Sequence, residues 1–200
     1  MLLTLFLACS NTQKQAPSVS HGLFAAYSAE FSNNSQDYLE QILFKLWSSI
    51  PNPSTNRYHV LVLESSDPLA LSLGSGYVVL SKGLILNLSH EGELYFVLAH
   101  EIAHHELGHI DQASHSTPEL EIEADSFAMT SLMNAGYDPA DGFSAVVNLM
   151  KYAAPKRAAD YPSLENRIQA LRNTTLSQQV LKPTNLRSNR EFTAFKRDLN

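Results

Sequence analysis

Cysteine occurs once in these 200 residues, at Cys9, so no internal disulfide can form. There is no basic stripe either. The net charge is −6, and a chain without clustered Lys and Arg has nothing to neutralise phosphates, which argues against a nucleic-acid partner. No apolar run is long enough to cross a bilayer as a helix. Neither an internal repeat nor a separate binding module is visible. What is present has a globular balance: 44% of the residues are hydrophobic and 17% charged. At this length that suffices for one domain with a real core, not for two comfortable ones.

The apolar run that opens the chain, Met1 to Ala8, has the character of the hydrophobic region of an export signal, and Ala8-Cys9 is similar to a bacterial lipoprotein cleavage site. Cys9 is then the expected lipidation site, and a lipid anchor alone would hold the protein at a membrane. Residues 10–34 read as a polar tether and lead-in, and residues 35–172 as the folded domain. Residues 173–200 read as a polar C-terminal tail, apart from a short Phe192, Phe195, Leu199 set.

Within the domain, Tyr38, Ile42, Leu46 and Ile50 recur at the spacing of one buried helix face, and Pro51-Asn52-Pro53 stops that helix. Two β-rich runs follow, Tyr58–Leu63 and Gly76–Leu80, with Gly74-Ser75-Gly76 marking a turn or bulge between them. Ser81-Lys82-Gly83 breaks the second run. A helix is predicted from Glu91 to the neighbourhood of Asp111–Ser114. Thr117 as cap and Pro118 as first helical residue open the next, which Gly136 ends. Helices over about 139–152 and 163–172 complete an α+β fold that is mostly helical, with a small sheet.

The chemistry sits in His100-Glu101-Ile102-Ala103-His104. Residues four apart on a helix are separated by about 40° around the axis and about 6 Å along it. His100 and His104 therefore present two imidazoles on one face, able to take adjacent corners of a zinc tetrahedron. Glu101 falls about 100° round, beside such a metal without ligating it, where a general base takes a proton from water. A third ligand must come from elsewhere. Glu121 and Asp125 are again four apart, so Glu121 can complete the ligand set while Asp125 accepts a hydrogen bond from a ligand histidine; Glu123 should point away. Three protein ligands leave one position open, as a catalytic zinc requires.

The same helix contains the pattern twice. His105-Glu106-Leu107-Gly108-His109 runs on to His115 and nearly fits a longer three-histidine pattern. A shift of five residues turns the face by about 140°, so the two sets cannot serve one metal. The longer pattern needs glycine where Gln112 stands, and no methionine segment suggests the turn that accompanies it. His100 and His104 are therefore preferred, with His105, Glu106 and His109 expected as exposed or supporting polar groups on the far side of the helix.

Taken together these segments resemble the M48 family of metallopeptidases. The resemblance is carried by Gly76 through Leu84, by Glu93 through His104, by His109, by Glu121 through Asp125, and by Ala135 through Pro139. It implies a gluzincin-type zincin domain in which His100, His104 and Glu121 hold one Zn2+ per chain and Glu101 is the catalytic acid/base. It also implies that the strand with Gly76, Tyr77 and Val78 is the sheet edge lining the cleft, where extended substrate adds as a further strand. Family members carry His-Pro before an arginine; here Pro162 and Arg167 are kept and Tyr161 replaces the histidine. Tyr161 and Arg167 are accordingly candidates to stabilise the transition state. The implied activity is hydrolysis of peptide bonds in unfolded or misfolded envelope proteins, on the periplasmic side of a bacterial cell envelope, by an outer-membrane lipoprotein. A rival reading is a zinc-dependent holdase that binds extended segments without cutting them. Intact Glu101 argues against it.

Overall fold

A computed structural model describes residues 33–54, 57–110, 117–152, 162–178 and 190–199. Helix α1 (Asn33–Ser49) is followed by strands β1 (His59–Leu63), β2 (Ala70–Leu73) and β3 (Tyr77–Ser81). Then come α2 (Lys82–Asn87), α3 (Glu91–Glu106), α4 (Pro118–Asn134), α5 (Pro139–Tyr152), α6 (Leu164–Ser177) and α7 (Arg190–Asp198).

Helix α3 is the axis of the domain. Every residue from Leu94 to Ala99 is fully buried, because α1, α4, α5 and the sheet all pack on it. A helix apolar on all sides is stable only when covered on all sides. Its first turn carries Glu91 and Glu93, whose charge suits a helix N-terminus. Both are buried and both are satisfied. Glu91 accepts from Tyr38 Oη at 2.9 Å and Tyr137 Oη at 2.5 Å, and Glu93 accepts from the Ser89 backbone N–H at 2.7 Å and from Ser144 Oγ.

The sheet has the order β1-β3-β2, with β1 parallel and β2 antiparallel to β3. This corrects the expectation for Gly76, Tyr77 and Val78. Gly76 lies in the turn before β3, and Tyr77 and Val78 are in the central strand, whose N–H and C=O groups serve neighbours on both sides. β2 is the free antiparallel edge among the described residues. No strand is expected there from spacing, since four residues carry little periodicity and only pairing to β3 makes them a strand. Leu69 turns its backbone towards β3, where its C=O accepts from Ser81 N at 2.9 Å. By alternation Leu71 and Leu73 do the same, which leaves the N–H and C=O of Ala70 and Ser72 at the open edge.

Three further boundaries differ from expectation. Ser81-Lys82-Gly83 does not merely break β3 but starts α2: Ser81 Oγ caps it, accepting from Leu84 N at 3.1 Å. Gly83 is required there by proximity, since a Cβ would stand 2.0 Å from the carbonyl oxygen of Ser66. The second departure is that α3 ends at Glu106, several residues early, for a reason that bears on the site. The third is that the supposed polar tail is partly structural. Helix α6 continues to Ser177, and α7 buries Phe192, Phe195 and Leu199, with Phe195 stacked on Tyr38 at 4.7 Å between centroids. Each of those side chains contributes about 2 kcal/mol of burial, enough to hold a short helix that charged residues otherwise dominate.

Candidate metal centre

His100 and His104 project from one face of α3 towards the first turns of α4. Thr117 Oγ1 caps α4 by accepting from Leu120 N at 3.4 Å, and Pro118 opens the helix, so Glu121, itself buried, is delivered from its first turn. His100 Nε2 and His104 Nε2 are 3.4 Å apart; Glu121 carboxylate oxygens lie 3.3 Å from the first and 3.8 Å from the second. Ligand atoms around a tetrahedral zinc at about 2.05 Å are separated by roughly 3.3 Å. The donor set, two imidazoles and one carboxylate, and its spacing therefore both fit zinc. These three residues form a group able to hold a metal ion.

Behind His100 stands Asp125, one turn beyond Glu121 and fully buried. Its Oδ1 is 3.0 Å from His100 Nδ1, off the line of an ideal ring hydrogen bond. Arg167, buried on α6, grips the same carboxylate with both arms: Nε to Oδ2 at 2.6 Å and Nη2 to Oδ1 at 2.6 Å. The Arg167 side chain is thus placed on Asp125, behind His100. Two of its nitrogens donate to this carboxylate on the far ring edge of His100, and Nη1 lies 3.8 Å from Met150 Sδ. Tyr161, the other candidate, lies outside the described residues, as do Cys9 and His115.

The charges follow from these contacts. Burial by itself lowers the His100 pKa, but hydrogen bonds and the charges of Asp125 and Glu121 outweigh it and bring the value up to about 10. Burial and the adjacent His100 charge lower His104 to about 4. For Asp125 burial pushes upward, yet Arg167 and His100 hold its carboxyl below the usual range. Burial is also the leading influence on Glu101 and raises it, against the pull of His100 and Ser72, the direction a general base at neutral pH needs.

The second copy of the pattern has a different fate. Glu106 faces the segment before β1, accepting from Ser54 N at 2.9 Å, Ser54 Oγ at 2.7 Å and Tyr58 Oη, while His105 packs edge-on against Tyr58. Those two are on the far side, as expected. His109 is not. The helix closes as Gly108 N binds His105 O at 3.1 Å and His109 N binds His104 O at 2.9 Å, a Schellman closure with Gly108 at φ +70°. That turn folds His109 back under His104. His109 Nδ1 then lies 3.1 Å from His104 Nδ1, and its Nε2 lies 3.2 Å from Glu123 Oε2.

One residue near the site went unread in the sequence. Ser72 of β2 places its hydroxyl 2.6 Å from Glu101 Oε2. A serine in a four-residue strand carries no signal by which spacing could have found it.

The model of peptidase family M48 matches residues 33–117. Over those residues the chain is similar to that family. That match takes in His100, Glu101 and His104, covers less than half of the chain, and stops four residues before Glu121. The tertiary structure supplies the third donor, Glu121. No curated protein matches the chain. With this ligand set beside Glu101, the site is that of a zinc-dependent metalloendopeptidase.

Proposed function

We propose that the protein hydrolyses internal peptide bonds of unfolded or misfolded envelope proteins, using one zinc ion per chain held by His100, His104 and Glu121. The observation that carries the reading is the meeting of these three donors from two helices, with Glu101 next to the first of them. Zinc in that position supplies Lewis acidity and makes water a competent nucleophile near neutral pH. Glu101 takes the proton from the attacking water and delivers it to the leaving amine. Ser72 aims the Glu101 carboxylate. Asp125, held by Arg167, orients His100 from behind.

Substrate selection is assigned to β2. Its outward Ala70 and Ser72 backbone groups can pair with an extended segment, which favours chains that are not folded. The Ser72 side chain meanwhile touches Glu101, so a segment lying along this edge runs past the base. Attachment through Cys9 on the periplasmic side of the envelope, as an outer-membrane lipoprotein, is supported by the Ala8-Cys9 pattern. Among the described residues no helix is long and apolar enough to cross a membrane.

The deciding experiment compares the full chain with Glu101→Gln on an unfolded protein substrate, measuring zinc content for both. Stoichiometric zinc in each, with cleavage by the unsubstituted chain alone, is the expected result. Zinc in both with cleavage by neither rejects the protease reading in favour of a binding-only holdase.

A further inference from the structure

We infer that His109 and Glu123 form a relay that holds His104 in the ligand tautomer, making them part of the metal site. The inference rests on the reading that His104 binds metal. From there the proton positions follow one by one. His104 offers Nε2 to the site, 3.4 Å from His100 Nε2, so the ring proton must be on Nδ1. That nitrogen faces His109 Nδ1 at 3.1 Å, and two facing nitrogens need one donor and one acceptor. His109 Nδ1 is therefore the acceptor and its own proton is on Nε2. There it meets Glu123 Oε2 at 3.2 Å, a carboxylate oxygen placed to accept. Each nitrogen along the line has one role.

The residue is also in the wrong place for a bystander. His109 is 7% exposed although it follows the end of α3, and its ring stands edge-on to His104 with centroids 5.1 Å apart. The chain reaches that position only through the left-handed turn at Gly108. The second histidine pattern thus has a use. Its glycine ends the helix and its last histidine supports the first pattern.

The two ligand histidines are consequently backed in unlike ways. His100 has a fully buried carboxylate locked by a guanidinium, whereas His104 has a neutral imidazole whose line ends at a carboxylate 62% exposed to solvent. A neutral acceptor polarises the ligand ring less than a buried carboxylate does, so His104 is the weaker and more readily exchanged of the two.

Zinc affinity of the full chain, measured by competition with a chelator, tests the relay. His109→Leu should weaken zinc by about 10- to 100-fold. His109→Asn, which keeps an acceptor oxygen near the Nδ1 position, should recover most of that loss, and His105→Ala should change nothing. Glu123→Ala should weaken zinc by about threefold alone and have no effect in the His109→Leu background, because the line is already cut. A folded His109→Leu chain that binds zinc as tightly as the parent overturns the relay. Additive effects of Glu123→Ala and His109→Leu overturn it as well. Should His109→Leu not fold, the exposed Glu123 site decides: unchanged affinity in Glu123→Ala overturns the relay, and the threefold loss supports it. A parent chain that takes up no zinc overturns both this inference and the proposed function. One that binds zinc without cleaving removes only the latter.

Discussion

Ser72 Oγ lies 2.6 Å from Glu101 Oε2 and 2.6 Å from the backbone oxygen of the same residue. A hydroxyl can donate to an ionised carboxylate, and by rotating it can donate to the backbone oxygen while accepting from a protonated one. Ser72 can thus partner Glu101 both before and after the proton is taken. Ser72→Ala should lower kcat by about tenfold, the equivalent of one charge-assisted hydrogen bond of about 1.4 kcal/mol, with zinc content unchanged. Ser72→Thr should restore part of the rate. Steady-state kinetics on an unfolded substrate would expose the opposite case, an unaltered kcat.

Removing Arg167 takes away the two-armed partner of the buried Asp125 carboxylate and leaves His100 alone to compensate it. Arg167→Met should destabilise the fold by about 3–5 kcal/mol, visible as a lower Tm, and should weaken zinc through the loosened His100. Arg167→Lys cannot reproduce the two-armed grip and should recover only part. Because the folded pKa of Asp125 is depressed, its contribution to stability is present above the unfolded value of about 3.9 and is lost as pH falls below it, through the native pKa. Acid unfolding of Arg167→Met should accordingly begin at higher pH than in the parent.

Proton and zinc compete at His100. Its pKa is raised to about 10, so without metal it is charged at neutral pH, and its stabilising contribution is complete below about 6.5 and disappears as pH rises through about 10. Zinc requires the neutral ring. Uptake at pH 7 should therefore release about one proton, and zinc affinity should climb with pH. Titration calorimetry in two buffers of different ionisation heat reads the proton directly; none released would contradict the ion-pair picture.

At Gly108 a Cβ would meet no atom within 4 Å, so only the positive φ constrains the position. Gly108→Ala should cost about 1 kcal/mol, and Gly108→Asn less, since Asn tolerates the left-handed region. Thermal melts check the order. Equal losses for both would point to a cause other than backbone conformation.

The role of β2 is open to a backbone test. Ala70→Pro removes an N–H directed to the open edge, not into the sheet. KM for an unfolded substrate should rise severalfold with zinc content unchanged, whereas an unaltered KM would argue against strand addition there.

His100 with His104, and Glu121 with Asp125, were legible from spacing because helical periodicity is local: four residues return a side chain to nearly the same face whatever surrounds it. The α+β class, the start of α4 and the family resemblance were legible for similar reasons, being written in short contiguous segments. Which strand forms the sheet edge was not, since pairing joins residues distant in sequence. Ala70–Leu73 became a strand only by lying beside Tyr77–Leu80. Nor could spacing show that Phe192 and Phe195 return to pack near Tyr38, or that Arg167 turns to Asp125. The sequence by itself determined a two-histidine helix face and an acidic pair able to meet it. Only the tertiary structure decided that Ser72 touches the base and that a turn at Gly108 brings His109 under His104, because both contacts depend on where helices end and how the chain folds back.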